Sequence, residues 1–543
     1  MKLTPNDMYK NIFIICVFSF FSFSLNAQQT VGIFSNSPDS YDGYTLFGAA
    51  FGKKQYLINN CGEQVHSWDS EFRSGSTYLL ENGVLVKTGG GGVEMIDWDN
   101  TIIWQYSLSD TYGSGHHDIE ILPNGNILLI ARHQIDQADV LLAGGSTDSL
   151  TILSDQIVEI EPDLLNGGAS VVWEWKAWDH LIQDADSTKD HYGTISLSPE
   201  KIDINFISLN GKDWLHINGI DYNAQLDQIM LSVPTFNEFW IIDHSTSSVE
   251  AASSEGGDHD KGGDLIYRWG NPSAYDQGDS TDQKLYFQHN PHWIEDSLPD
   301  AGKILLFNNQ VGSAQSQDFS TVNTLILPLD SNGLYPEATG AYGPSSFYWT
   351  YTAPNPTDFY SGFISGSQRL PNQNTLICEG VNGRFFEIDS NENIVWEYIS
   401  PLTANEPIEQ EETPEGNQVF RCTRYPRNYA AFENQAMLPQ GYIESGSTMN
   451  CELHPLFLLE NLNNNISFYP NPSKGIIHFD FLELDSFETI HITNIKGQTV
   501  LQFPVDKFKN EVELDISSLE NGVYFVRVVS LTETRIHKVV LVQ

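Results

Sequence analysis

Basic residues are scarce in this chain. Its 543 residues carry 27 Lys and Arg against 71 Asp and Glu, a formal charge of −44. Nucleic acids and anionic bilayers are held through basic surfaces, so neither is expected as a partner. There are only five cysteines. Beyond the N-terminus, no apolar run is long enough to span a bilayer as a helix. Helical periodicity is almost missing as well. What the chain has in quantity is aromatic residues, glycine and short alternating apolar segments. With 40% hydrophobic residues it has the composition of a folded chain rather than a disordered one.

Residues 1–27 have the plan of a signal peptide. Lys2 and Lys10 supply the basic region, residues 12–25 the short apolar run, and Leu25-Asn26-Ala27 a cleavage site before Gln28. The mature chain is therefore expected to be soluble, exported through the periplasm, and secreted or held at the cell surface. Cys16 leaves with the signal. Cys61, Cys378, Cys422 and Cys451 remain in an oxidising compartment. Four cysteines allow three pairings. Cys422–Cys451 is the preferred pair, and buried free thiols are the alternative.

Two repeats organise the chain. The first places a histidine ahead of a short strand, a polar turn and a second apolar strand: SGHHDIEILPNGN at 114–126, then copies at His216 and His289. A fourth copy, SGSQRLPNQNTLI, has Gly366 at the histidine position. An apolar residue follows four places on in each: Ile121, Ile220, Trp293 and Leu370. The second repeat is an aromatic strand motif. It occurs as QVHSW (64–68), IIWQY (102–106), VVWEW (171–175), LIYRW (265–269), FYWTY (347–351) and IVWEY (394–398). The alternation is that of strands. Repeats of about four short strands at such intervals indicate a β-propeller, here an all-β six-bladed one over residues 28–440. Each histidine-led strand opens a blade and faces the central channel. VFRCTRY (419–425) is apolar enough to close the ring against the first blade. After a linker at 441–465, residues 466–543 give short alternating strands, the pattern of a small C-terminal β-sandwich.

A lone histidine in a β-protein is usually a hydrogen-bonded structural residue. Three at one repeat position point instead to a shared axial site of His117, His216 and His289. His116 is the alternative within its pair, but the apolar residue at +4 favours His117. Trp104, Trp173, Trp269 and Trp396 are expected in the blade cores. Three histidines with an open position also match a metal-dependent hydrolase. A non-enzymatic surface propeller binding glycans or phenolic ligands is a third reading.

Two segments resemble known families. YPNPSKG, NIKGQTV, DISSLENGVYFVRV and the terminal KVVLVQ closely resemble the C-terminal sorting domain of the type IX secretion system, which implies that machinery as a partner. HHDIEILPNGN, DWLHINGIDYN, RWGNP, FQHNPHW and SGSQRLPNQNTLICEGVNGRFFEIDSNENIVWEY together resemble the arylsulfate sulfotransferases over most of residues 40–430. That resemblance implies transfer of a sulfuryl group between phenols through a sulfohistidine, with no nucleotide donor and no cofactor or metal. His289 matches the nucleophile. His117 and His216 match the histidines that hold the sulfate and serve the leaving phenoxide, and Asn218 matches a sulfate-binding amide. Ser365, with Ser367, is a further hydroxyl candidate from the fourth copy. The family pattern has an arginine in a Ser-x-Arg setting where this chain reads Ser232-Val233-Pro234. Arg268, Arg369 and Arg424 are the candidates to replace it, Arg369 being assigned to substrate binding.

Overall fold

Strand pairing in the computed structural model shows how the repeats assemble. It describes residues 29–542 except 74, 90, 109–111, 212, 313–316, 332, 337–339, 447–450, 454–465, 471, 482–486, 495–498, 505–510, 520 and 531–533. The signal-peptide segment lies outside the described residues. One unit runs to residue 454 and a second begins at 455.

The first unit holds six antiparallel sheets of four or five strands, following one another along the chain. In the second to fifth sheets the first strand in sequence lies at one edge and the aromatic motif at the other. The third, for example, runs Gly115–Ile121, Ile127–Asp136, Thr151–Pro162, Ala169–Lys176. The inner strands Gly115–Ile121, Gly219–Asn223 and His289–Trp293 pack side by side, and the last meets Gly366–Arg369. Neighbouring sheets are joined at the outer edges by indole hydrogen bonds. Trp104 Nε1 of the second sheet donates to the Gly168 carbonyl of the third at 2.8 Å. Trp173 donates to Thr246 Oγ1, Trp269 to the Pro344 carbonyl and Trp349 to Glu392. Trp396 donates to the Asn60 carbonyl at 2.8 Å, linking the sixth sheet back to the first. The aromatic motif therefore has two functions. Its rings fill the space between sheets, and its polar N–H groups tie one sheet to the next.

Both chain ends take part in closure. Thr423–Pro426 pairs with Gly43–Gly48 as the inner strand of the first sheet, so the segment expected to close the ring does so. Gly32–Asn36 pairs with Ile394–Ile399 as the outer strand of the sixth. The inner edge of the first sheet and the Ile394–Ile399 edge of the sixth are thereby paired. The first unit extends past the expected linker boundary. Gln64 N–H donates to the Gly441 carbonyl at 2.8 Å, and Cys451 is disulfide-bonded to Cys61. The expected Cys422–Cys451 pair is corrected. Cys422 is a buried free thiol beside Cys378 on the sixth sheet, and Cys61 reaches Cys451 across 390 residues of sequence.

The second unit is a sandwich of a three-stranded and a four-stranded sheet. Ile477, Ile490, Ile492, Leu514, Val526 and Val539 form its core. Among the described residues, no helix is long and apolar enough to cross a membrane.

The Cys61–Cys451 bridge restricts the unfolded chain over nearly the whole first unit. Cys61→Ser should lower its stability by about 2–4 kcal/mol. Thermal denaturation with and without reductant checks this: reductant should shift the wild type toward the variant and leave the variant unchanged.

Candidate functional site

The three repeat histidines meet where the inner strands begin. His289 is the first residue of His289–Trp293. His117 lies in Gly115–Ile121, and His216 comes just before Gly219–Asn223. His117 and His216 both have φ of 55°. This left-handed backbone is uncommon for a residue with a side chain, so the repeat preserves a bend as well as a ring. Their imidazole centroids are 4.6 Å apart. Phe287 bridges the group, with its ring 6.4 Å from His216 and 6.0 Å from His289.

Each imidazole has a different partner behind it. His289 Nδ1 lies 2.9 Å from Asn309 Oδ1. Asn309 Nδ2 donates to the carbonyls of Ser361 and Ile364 at 2.8 and 2.9 Å. The amide is thereby oriented so that its oxygen accepts. His289 must carry its proton on Nδ1 and its lone pair on Nε2. The Ile364 N–H donates to that Nε2 at 3.1 Å. Ile364 and Ser365 have φ of 50° and 90°, a strained cap over the imidazole. Burial pulls His289 down to about 3, against the Asn309 hydrogen bond, so it is neutral throughout the physiological range.

His216 rests on a carboxylate, and His117 on the neighbouring His116 ring. His216 Nδ1 is 2.7 Å from Asp213 Oδ2, and Arg132 sits 3.2 Å from the other Asp213 oxygen. Burial alone would raise Asp213. The hydrogen bond from His216 and the charges of His216, Arg132 and His116 hold it at about 2. His117 and His116 both belong to the cluster, their Nδ1 atoms 2.6 Å apart. His116 Nε2 lies 3.1 Å from the fully buried Asp155, whose second oxygen accepts the Ile217 N–H at 2.7 Å. His117 is lowered well below the ordinary range, by burial and then by the charges of His116, His216, His289 and Arg132.

The remaining candidates divide. Asn218 is fully buried. Its Nδ2 donates to the Gln288 carbonyl at 3.0 Å, steadying the residue before His289, and its Oδ1 has no hydrogen-bond partner. The Ser365 hydroxyl donates to Ser361 Oγ and accepts the Gly380 N–H, so it ties the cap loop together. Ser367 Oγ is buried without a partner. Arg369 is held between the fifth and sixth sheets by Asp300 at 3.1 Å and Thr375 at 2.7 Å, with Trp349 against its guanidinium. Arg268 and Arg424 are paired with the buried carboxylates Glu238 and Glu387, and Arg424 Nη2 is buried with no hydrogen-bond partner among the described residues. None of the three arginines is brought to the histidines. A cleft of about 450 Å³ opens beside His216, with Trp214, Pro234, Tyr286 and Phe287 among its walls. Pro234 thus forms part of an aromatic-lined hollow. Among the described residues, no group of three or more His, Cys, Asp or Glu is arranged to hold a metal ion.

Asp155, Asp213, Asn309, Arg132 and Arg421 were missed from sequence. Asp155 had a signal, one of two carboxylates in the apolar strand TILSDQIVEI. Asp213 had another, three residues before His216. Asn309 had none.

The fold and the cluster define a β-propeller with a histidine site on its axis. The family model described as Arylsulfotransferase (ASST) matches residues 51–421, and the chain belongs to that family. A second model, the secretion system C-terminal sorting domain, matches residues 467–543. No curated protein matches the chain. Three solved structures are similar in part. A protein of unknown function from Bacteroides caccae has 13% identity, TM-score 0.39, and 71% of this chain and 99% of that one covered. A streptogramin B lyase has 11% identity, TM-score 0.35, and 74% and 95% covered. The β-propeller domain of Myceliophteria thermophila Cps50 (Swd1) has 10% identity, TM-score 0.35, and 70% and 89% covered. At such scores the fold assignment rests on the strand pairing itself.

Neutral buried imidazole has a pH consequence. In the unfolded chain His289 takes up a proton near its ordinary 6.5, whereas folded it does so only near 3. Stability contributed by its neutral state is therefore present above 6.5 and lost as pH falls toward 3. In urea titrations across that window, His289→Gln should flatten the fall in stability by about 1.4 kcal/mol per pH unit. An unchanged slope would mean that His289 already carries a proton when folded.

Proposed function

We propose that this chain is an exported sulfotransferase that moves a sulfuryl group from an aryl sulfate to a phenol through a sulfohistidine on His289, without a nucleotide donor. Family membership supports aryl sulfotransfer, and the sorting domain marks the chain for secretion or the cell surface. The observation that carries the finer reading is the division of partners among the imidazoles. The one backed by an amide is neutral with its lone pair on Nε2. Of the two beside it, His216 is backed by the Asp213 carboxylate, and His117 by the His116 ring, which itself lies on Asp155. A nucleophile needs the first environment and a proton carrier the second.

In the forward step His289 Nε2 attacks sulfur and the S–O bond to the aryl group breaks. The leaving phenoxide takes a proton from His216, whose imidazolium form Asp213 stabilises. In the second step an incoming phenol returns a proton to His216 as its oxygen attacks sulfur. The S–N bond breaks and the lone pair returns to Nε2. No proton is gained or lost over the cycle. His117, whose ring lies 4.6 Å from that of His216, stands beside the sulfuryl group, whose non-bridging oxygens carry the charge in transfer. The cleft walled by Trp214, Tyr286 and Phe287 suits a flat aromatic ring. The Ile364 N–H on Nε2 must be released before attack, so the 361–365 loop shifts when substrate enters.

Turnover of phenyl sulfate with a phenol acceptor tests this. His289→Ala should abolish it. Asn309→Ala frees the tautomer and should cost about 10²-fold in kcat. Full activity in His289→Ala would end the mechanism.

A further inference from the structure

The fourth copy of the histidine repeat has no side chain at Gly366, and the structure shows what fills that place. A Cβ there would lie 2.6 Å from Asn290 Oδ1 and 3.2 Å from Arg421 Cγ. The Asn290 side chain and the stem of Arg421 therefore share the space a fourth axial side chain would take. Arg421 comes from the segment that leads into the closing strand Thr423–Pro426. Its guanidinium reaches the opposite side of the ring, to Tyr78 Oη at 2.9 Å and Asp118 Oδ2 at 2.7 Å. Asn290 and Gly366 belong to the fifth and sixth sheets, Tyr78 and Asp118 to the second and third. A side chain touching both sides lies across the axis.

Two of its three nitrogens are used in this way. The third, Nε, is buried with no hydrogen-bond partner among the described residues. The backbone beside it is tied to the nucleophile's cap. The Phe420 carbonyl accepts the Ser365 N–H at 3.1 Å, and the preceding Ile364 N–H is on His289 Nε2. Phe420 also lies 6.4 Å from the His117 ring. Burial, and then the neighbouring Asp221 and Asp118, raise Glu120 well above the carboxylate range, and burial raises Asp221 to about 7.

We propose that Arg421 is the anion-binding residue of this site, holding a sulfuryl oxygen through Nε–H while its terminal nitrogens stay on Tyr78 and Asp118. The proposal rests on the sulfotransfer reading above. A guanidinium kept in place by two partners is already oriented when an oxyanion reaches its third donor. It supplies from the closing segment the cation that Pro234 does not.

The test is the rate at which phenyl sulfate labels His289, followed by mass spectrometry in single-turnover experiments. Arg421→Gln alone leaves Asp118 buried and unpaired, so it is compared with Asp118→Asn/Arg421→Gln, which removes both charges together. Arg421→Lys is the third variant. It keeps charge and stem but has no Nε–H. All three should label with a second-order rate constant about 100-fold below wild type. Labelling at the wild-type rate in either the double variant or Arg421→Lys overturns the proposal. So does impairment in Arg421→Gln that the double variant restores, since Arg421 would then act only by neutralising Asp118. Absence of label in the wild type would instead refute the sulfotransfer reading.

Discussion

Closure of the ring is the constraint on which the rest depends. Six sheets of this kind can bury their flanks only against one another, and a gap anywhere would expose two of them. Here closure is made twice, by antiparallel pairing of Thr423–Pro426 with Gly43–Gly48 and of Gly32–Asn36 with Ile394–Ile399. The two pairings lie in different sheets, one inner and one outer. The Trp396 indole and the Cys61–Cys451 bridge fasten the same seam. The inner closure also serves the site. It fixes Phe420 and Arg421 beside the residues that cap His289, so stability of the seam and geometry of the axis come from one segment.

One repeat position here holds three imidazoles in three different surroundings. The strands deliver equivalent imidazoles, and the differences come from what lies behind each. Asn309 keeps His289 neutral and fixes its tautomer. Asp213, itself held ionised by His216 and Arg132, lies against His216 Nδ1. Asp155 supports the His116–His117 pair. Sulfuryl transfer by this chain would need all three functions within a few ångströms: a free lone pair, a proton carrier and donors for spreading charge. Burial of imidazole without charge and left-handed backbone at His117, His216 and Ile364 are costs that the packed ring must offset.

Much of this was readable in the sequence, for definable reasons. The aromatic strand motif and the histidine repeat are local patterns, and each copy reports its own position in a sheet. Counting them gives the propeller, and aligning them selects His117, His216 and His289. The pattern reports nothing about side chains that arrive from elsewhere. Asn309 comes from the strand next to His289, Asp155 from two strands away in the third sheet, and Arg421 from beyond the last repeat. The three arginines favoured from sequence are each neutralised by an acid within the ring wall, a pairing visible only in three dimensions. Cys61 and Cys451 are far apart in sequence yet adjacent at the seam, and sequence alone does not choose among the pairings of four cysteines. Gly366 read as a missing histidine, whereas its lack of a side chain makes room for the Asn290 side chain and the stem of Arg421.

The central claim is that His289 Nε2 forms the covalent bond to sulfur. Peptide mapping by mass spectrometry under non-acidic conditions, after incubating the exported protein with an aryl sulfate alone, tests it most directly. The account predicts one sulfuryl group on His289, lost when a phenol is added. Sulfuryl transfer to an added phenol with no label on any histidine, or with stable label on His117 or His216 instead, would contradict it.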